Sequence, residues 1–248
     1  MIDRPQLVSD DLKITFDNLE KLNRRFGSYN LIRHFLRRWI APCESVSLLD
    51  LCTASGDVPR CIADWARAQK SIVRIHAIDS QPSTLSIAQA KSVLYPEITY
   101  EAADALRFTP AEPFDIVICS LALHHFAFSD ALDLLRRIRG FARRGVVVAD
   151  LERSDFGIVG IYLLTGCLVR HPINRIDGRL SIRHAFSFRE LAAAAAEAGW
   201  SEFGHRRFPV SRQAIWLERE ALAPPRENHT LGEATNFRRL PRHGCQSR

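Results

Sequence analysis

An α/β chain built on an open, doubly wound, mostly parallel sheet is what these 248 residues predict, and three observations carry the prediction. Short, nearly continuous apolar runs recur along the chain, as strands covered on both faces require. Segments of roughly 10–15 residues with helical periodicity separate them, the signature of βαβ units. Turn residues follow the apolar runs, so that each strand hands over to its helix through a tight loop.

The elements follow in order. In "ITFDNLEKLNRRFGSYNLIRHFLRRWI" apolar residues fall at helical spacing: Leu19, Leu22 and Phe26, then Leu31, Ile32, Phe35, Leu36 and Trp39. Gly27-Ser28 divides the stretch into two amphipathic helices, and Pro42 ends the second. Strands are expected at Val46–Leu51, Arg74–Ile78, Ile98–Ala102, Phe114–Ser120 and Gly145–Asp150. Helices are expected at Val58–Gln69, Pro82–Val93 and Asp130–Phe141. Leu151–Phe186 interrupts the rhythm with an apolar run, "FGIVGIYLLTGCLV", and then the basic "VRHPINRIDGRLSIRHAF". In that basic stretch Arg170, His171, Arg175 and Arg183 could face solvent or an acidic substrate. In "SFRELAAAAAEAGW" Ser187 caps a helix, Glu190 completes a capping box and Gly199 stops it. "SEFGHRRFPV" and "RQAIWLERE" read as a closing antiparallel pair. The expected organisation is an N-terminal helical lid over residues 1–42, a main domain over 43–220 with a cap insertion at 151–186, and a polar, disordered tail over 221–248.

Bulk properties narrow the function. The net charge is +6, but +3 of it lies from Arg226 onward, where five Arg face two Glu. Basicity is therefore poor evidence for nucleic acid, and no aromatic-studded basic patch accompanies it. The six Cys are scattered without a CxxC pair, and several sit in apolar runs, which favours free thiols in a reducing compartment. No apolar run reaches the length of about 20 residues that a spanning helix needs. These features predict a cytoplasmic chain without a transmembrane segment; a monomer or homodimer is expected. No His, Cys or carboxylate set has ligand spacing, so no metal is expected.

Ligands of open α/β sheets bind at the carboxyl ends of the strands, beside the point where strand order reverses. The first strand ends at Asp50 and enters "LCTASGD", where Cys52, Thr53, Ala54, Ser55 and Gly56 are all small. Small residues let backbone amides and the helix behind them approach an anionic or carboxylate group. The second strand ends at Asp79, placed to accept from both hydroxyls of a ribose, or else to cap the next helix. The third leads to Asp104 and Ala105 and the fourth to Ser120, over the same pocket. His124 and His125 follow; either could act as a base, or pack and cap without catalytic duty. A nicotinamide-type fingerprint, G-x-G-x-x-G, fails at Cys52, Ala54 and Asp57.

In order, "LLDLCTASGDVPRCIA", "IHAIDSQPSTLSIAQAK", "YEAADALRF" and "PFDIVICSLALHHF" resemble motifs I to IV of the class I S-adenosylmethionine-dependent methyltransferases. The match runs over Val46–Asp150 and extends to Glu218. Within that family the chain is similar to bacterial enzymes methylating small quinones, phenols and polyketides. The resemblance implies a Rossmann-like, seven-stranded sheet with its last strand antiparallel. It implies that Asp50, Cys52, Thr53, Ala54 and Gly56 wrap the methionine part of the cofactor and that Asp79 with Ser80 binds the ribose. Asp104 and Ala105 would frame the adenine, and Ser120 would lie near the methionine. The implied reaction is methyl transfer to a small, aromatic, phenolic or polyketide-like molecule, leaving S-adenosylhomocysteine. The chain departs from the family's Asp-x-Gly-x-Gly-x-Gly at Cys52 and Ala54. If those positions are left-handed, each side chain costs about 1–2 kcal/mol. A non-catalytic, methyltransferase-like binding protein with a degraded loop is the alternative.

Overall fold

The computed structural model describes residues 8–167 and 172–219; Arg170, His171 and the tail at 221–248 lie outside the described residues. Seven strands form one sheet: β1 (Ser45–Leu51), β2 (Ile72–Asp79), β3 (Ile98–Ala102), β4 (Phe114–Ser120), β5 (Ala142–Leu151), β6 (Gly204–Phe208) and β7 (Arg212–Glu218). Their order across the sheet is β3-β2-β1-β4-β5-β7-β6. All pairings from β3 to β5 are parallel, and β7 alone runs against its neighbours. The order reverses between β1 and β4, which sets the switch point there.

The sequence explains this arrangement strand by strand. In β1, Leu48, Leu49 and Leu51 are all fully buried, because consecutive residues face opposite layers and both layers are covered. Leu48 joins the layer formed by α2 (Ser28–Trp39) and α3 (Asp57–Ala68), while Leu49 and Leu51 join that of α5 (Phe128–Ile138) and α8 (Phe188–Glu197). α2 lies close on β5: a Cβ at Gly145 would stand 2.9 Å from the Trp39 ring. α8 carries the full capping box, with Ser187 Oγ accepting from the Glu190 amide and the Glu190 carboxylate accepting from the Ser187 amide.

Two regions lie over the carboxyl edge. α1 (Asp10–Arg25) starts at the Ser9 cap and packs through Leu12 and Phe16 against Ile87 of α4 (Pro82–Lys91). The interruption at Leu151–Phe186 is a helical hairpin, α6 (Asp155–Cys167) and α7 (Pro172–His184). Its apolar run is not a core helix. Gly157, Gly160 and Ile161 of α6 border the cavity below, whereas Phe156, Val159 and Leu163 face solvent. Arg183 is exposed.

Candidate active site

The carboxyl ends of the parallel strands open onto one cavity of about 550 Å³. Asp50, Cys52, Thr53, Ala54, Asp79, Ser80, Asp104, Ala105, Ser120, His124 and His125 all border it. Gly56 does not; it lies behind the loop, where a Cβ would meet the Tyr100 hydroxyl at 2.2 Å.

The loop after β1 settles the question raised by its missing glycines. Cys52 (φ 58°), Ala54 (φ 48°) and Gly56 (φ 71°) are all left-handed. The two non-glycine residues therefore do bear the strain, about 1–2 kcal/mol each. The surrounding structure over-determines the shape, as such strain requires. The Thr53 amide donates to the Ile78 carbonyl at 2.9 Å, and the Ala54 amide donates to Asp79 Oδ2 at 2.9 Å. Arg60 Nη1 donates to the Ser55 carbonyl at 2.7 Å. Asp79 also reaches the start of α4, whose N-cap is Gln81. Its Oδ1 accepts from the Gln81 amide at 3.0 Å, so the carboxylate ties the two loops together.

Arg60 also reaches the helix above. Its Nη2 donates to Glu20 Oε2 of α1 at 3.1 Å, and Lys91 pairs with both Glu20 and Asp17. Asn23 Nδ2 and the Tyr29 hydroxyl both donate to Asp57 Oδ2, each at 2.9 Å. Burial, then the charge of Asp57, pushes the Tyr29 hydroxyl far above its ordinary range. Tyr29 therefore stays a neutral donor, and α1 is clasped to the loop from both sides.

Among the described residues the cavity is bordered by six carboxyl side chains, those of Glu20, Asp50, Asp57, Asp79, Asp104 and Asp177, and by one Arg, Arg212. Such a wall suits a cationic ligand. Asp50 and Thr53 point the same way. Asp50 Oδ2 and Thr53 Oγ1 are buried without a well-formed hydrogen bond, although the Thr53 hydroxyl is near enough to favour the ionised carboxylate. Burial dominates and raises the Asp50 pKa to about 8, with Asp57 and Asp79 adding to it. The folded chain then holds a proton on Asp50 that the unfolded chain has already released above about pH 4. In the ligand-free protein this contribution to stability is full below pH 4 and is lost as pH rises toward 8. Chemical denaturation at intervals across that window is expected to show stability falling with pH, and a flatter dependence in Asp50→Asn. The same slope in both proteins would show that Asp50 titrates normally.

His124 lies in a short helical turn (Leu123–His125) after β4, and Asp150 near the end of β5. His124 Nδ1 is 2.6 Å from Asp150 Oδ1, and the His124 amide donates to Asp150 Oδ2 at 2.9 Å. Both side chains are buried. Burial alone would raise the Asp150 pKa. The charge and hydrogen bond of His124, with the amides of Leu151 and His124, outweigh it and hold the carboxyl below its usual range. An ionised Asp150 can only accept, which places a ring proton on Nδ1, so that in the neutral imidazole Nε2 is the basic atom. The His125 ring lies beside it, tilted by 38° with ring centroids 4.1 Å apart.

Asp150 and Arg212 were not singled out from sequence as site residues. Asp150 marked only the end of a strand, and Arg212 opened a strand at the far edge of the sheet. An acidic residue closing a strand beside the switch point was the one available signal.

Residues 48–145 match the family model described as "Methyltransferase domain". No curated protein is similar enough to match. Among solved structures, a plantazolicin methyltransferase, crystallised with S-adenosylhomocysteine and a monoazolic desmethylPZN analog, aligns with a TM-score of 0.62 at 13% identity. That alignment covers 85% of this chain and 90% of the other. Human N-acetylserotonin methyltransferase, crystallised with S-adenosylmethionine, aligns with a TM-score of 0.60 at 16% identity over 85% of this chain. A putative O-methyltransferase from Nostoc punctiforme aligns with a TM-score of 0.57 at 19% identity over 78% of this chain. This chain spans 56% of the length of each of those last two proteins. Residues 48–145 thus match a methyltransferase domain, and the chain shares the fold of these solved methyltransferases.

Proposed function

We propose that this chain moves a methyl group from S-adenosylmethionine to a hydroxyl of a small aromatic, phenolic or polyketide-like molecule in the cytoplasm. The observation that carries the reading is a buried Asp150–His124 pair at the wall of an acid-lined cavity, next to a strained but fully braced loop. The residues fit the cofactor. Asp50 and Thr53, with their buried, unfilled polar atoms, would meet its ammonium group, and Asp79 with Ser80 would take the ribose. Asp104 and Ala105 would hold the adenine, and Ser120 would stand beside the methionine chain. When bound, the cofactor supplies a methyl group activated by a positive sulfur.

The protein's own part is positioning and proton handling. α1, clasped through Glu20 and Asp57, and the α6–α7 hairpin would exclude water as a lid. Asp150 fixes the tautomer of His124, and Nε2 of His124 takes the acceptor's hydroxyl proton as the new bond forms. Calorimetry with S-adenosylhomocysteine tests the cofactor half. The wild-type chain should bind it, and Asp79→Ala should lower affinity by about tenfold or more, since both loops lose their shared acceptor. Absence of binding by the wild type at millimolar ligand would overturn the reading.

A further inference from the structure

One buried group in the cavity has no role in holding a cationic cofactor. Arg212 opens β7, is 7% exposed and borders the cavity, yet its Nε and Nη1 have no hydrogen-bond partner in the protein. Asp150 is close enough to be felt, but its hydrogen bonds go elsewhere: Oδ1 accepts from His124 Nδ1 and the Leu151 amide, and Oδ2 from the His124 amide. Burial lowers the Arg212 pKa to about 10, Asp150 opposing, so the guanidinium remains charged at neutral pH. Charged donors left unmade inside a protein are strongly unfavourable, and persist where a ligand completes them.

Position decides which ligand. The sheet order β1-β4-β5-β7 puts Arg212 three strands from the cofactor loop, about 14 Å at ordinary strand spacing. The His124–Asp150 pair, on the turn after β4 and near the end of β5, lies between them. Arg212 pairs in register with Leu151, the residue after Asp150. The turn before it is itself strained: Val210 (φ 62°) and Ser211 (φ 50°) are left-handed non-glycine residues, and both border the cavity. Strain of this kind gathers at ligand clamps. Gly157 of α6 packs against the Ser211 side chain, so the hairpin helps hold the turn in place.

We infer that Arg212 anchors a carboxylate on the methyl acceptor, making the substrate class a hydroxylated organic acid whose hydroxyl meets His124 while its acid group meets Arg212. The inference rests on the methyltransferase reading above. It also accounts for a cavity that is otherwise acidic, since without Arg212 an anionic acceptor would be repelled. A guanidinium suits the task, as a planar donor set that stays charged when desolvated.

The test uses the full chain saturated with S-adenosylhomocysteine, titrated calorimetrically with three acids and their amides: 3,4-dihydroxybenzoate, 4-hydroxyphenylacetate and 3-hydroxydecanoate. In the wild type at least one acid should bind about tenfold or more tightly than its amide. Arg212→Gln should abolish that preference, and Arg212→Lys should restore part of it. Affinity for S-adenosylhomocysteine should be unchanged in both variants. Ligand-free Arg212→Gln should melt at or above the wild-type temperature, because it removes an unpaired buried charge. Three results would overturn the inference: no acid preferred over its amide in any pair, a preference that survives Arg212→Gln, or a melting temperature lowered by about 5 °C or more, which would make the residue structural. A loss of S-adenosylhomocysteine affinity in Arg212→Gln would also overturn it, by assigning the residue to the cofactor's own carboxylate. Failure of the wild type to bind S-adenosylhomocysteine at all is a separate outcome, and it counts against the methyltransferase reading on which the inference stands.

Discussion

Gly56→Ala is expected to lower unfolding stability by about 2–3 kcal/mol and to weaken cofactor binding with it. Two causes add. A left-handed alanine costs about 1–2 kcal/mol, and the new Cβ, 2.2 Å from the Tyr100 hydroxyl, must displace that side chain. Tyr100 would then lose its 2.7 Å hydrogen bond with Ser92, worth about 1 kcal/mol. For a chain of this size the melting temperature should fall by about 5–10 °C. Making Gly56→Ala in a Tyr100→Phe background separates the causes: the clashing oxygen and the Ser92 hydrogen bond are already gone there, so the substitution should cost only the backbone strain. A single variant as stable as wild type would show that the loop relaxes freely, against the bracing described for it.

The second large effect falls on turnover. Asp150→Asn and His124→Ala should each reduce methyl transfer by about 10²–10⁴-fold, the range for a positioned acid–base group. The two together should cost little more than either alone, since the residues act as a unit. Cofactor affinity should change little in either single variant, as neither side chain is placed to hold the cofactor. A readout independent of the acceptor is available in ¹⁵N spectra of the imidazole. Wild-type His124 should show the Nδ1-protonated form, and Asp150→Asn should lose that bias. Full activity in His124→Ala would assign catalysis to positioning alone.

Much of this was legible in the sequence, for identifiable reasons. Strand ends at Leu51, Ala102 and Ser120 were readable because buried parallel strands are continuous apolar runs, and few other elements are. The Ser187–Glu190 capping box was readable because its spacing is fixed by backbone geometry. The pocket-facing positions of Asp79, Asp104 and His124 followed from where each strand stops. The left-handed shape at Cys52 and Ala54 could not be read, because nothing local favours it in those residues; distant groups, the Ile78 carbonyl and the Asp79 carboxylate, impose it. The pairing of Asp150 with His124 depends on two strands meeting, which spacing along the chain does not reveal. Arg212 was hidden for a related reason: at the start of an edge-like strand an Arg reads as solvated, and only the antiparallel return of β7 carries it over the cavity. The apolar run in α6 was ambiguous because its period serves a core helix and a cavity wall equally well.

The division at the switch point has a consequence for how such a protein can diversify. The groups proposed to hold the methyl donor come from β1, β2, β3 and their loops and from Ser120 at the end of β4, whereas the far wall is made by β5, β7 and the α6–α7 hairpin inserted between them. Exchanging or reshaping that inserted hairpin leaves the register of β1, β2 and β3 untouched. A lineage carrying this scaffold is therefore free to change what it modifies, through residues 152–211, while inheriting unaltered the machinery that delivers the modifying group.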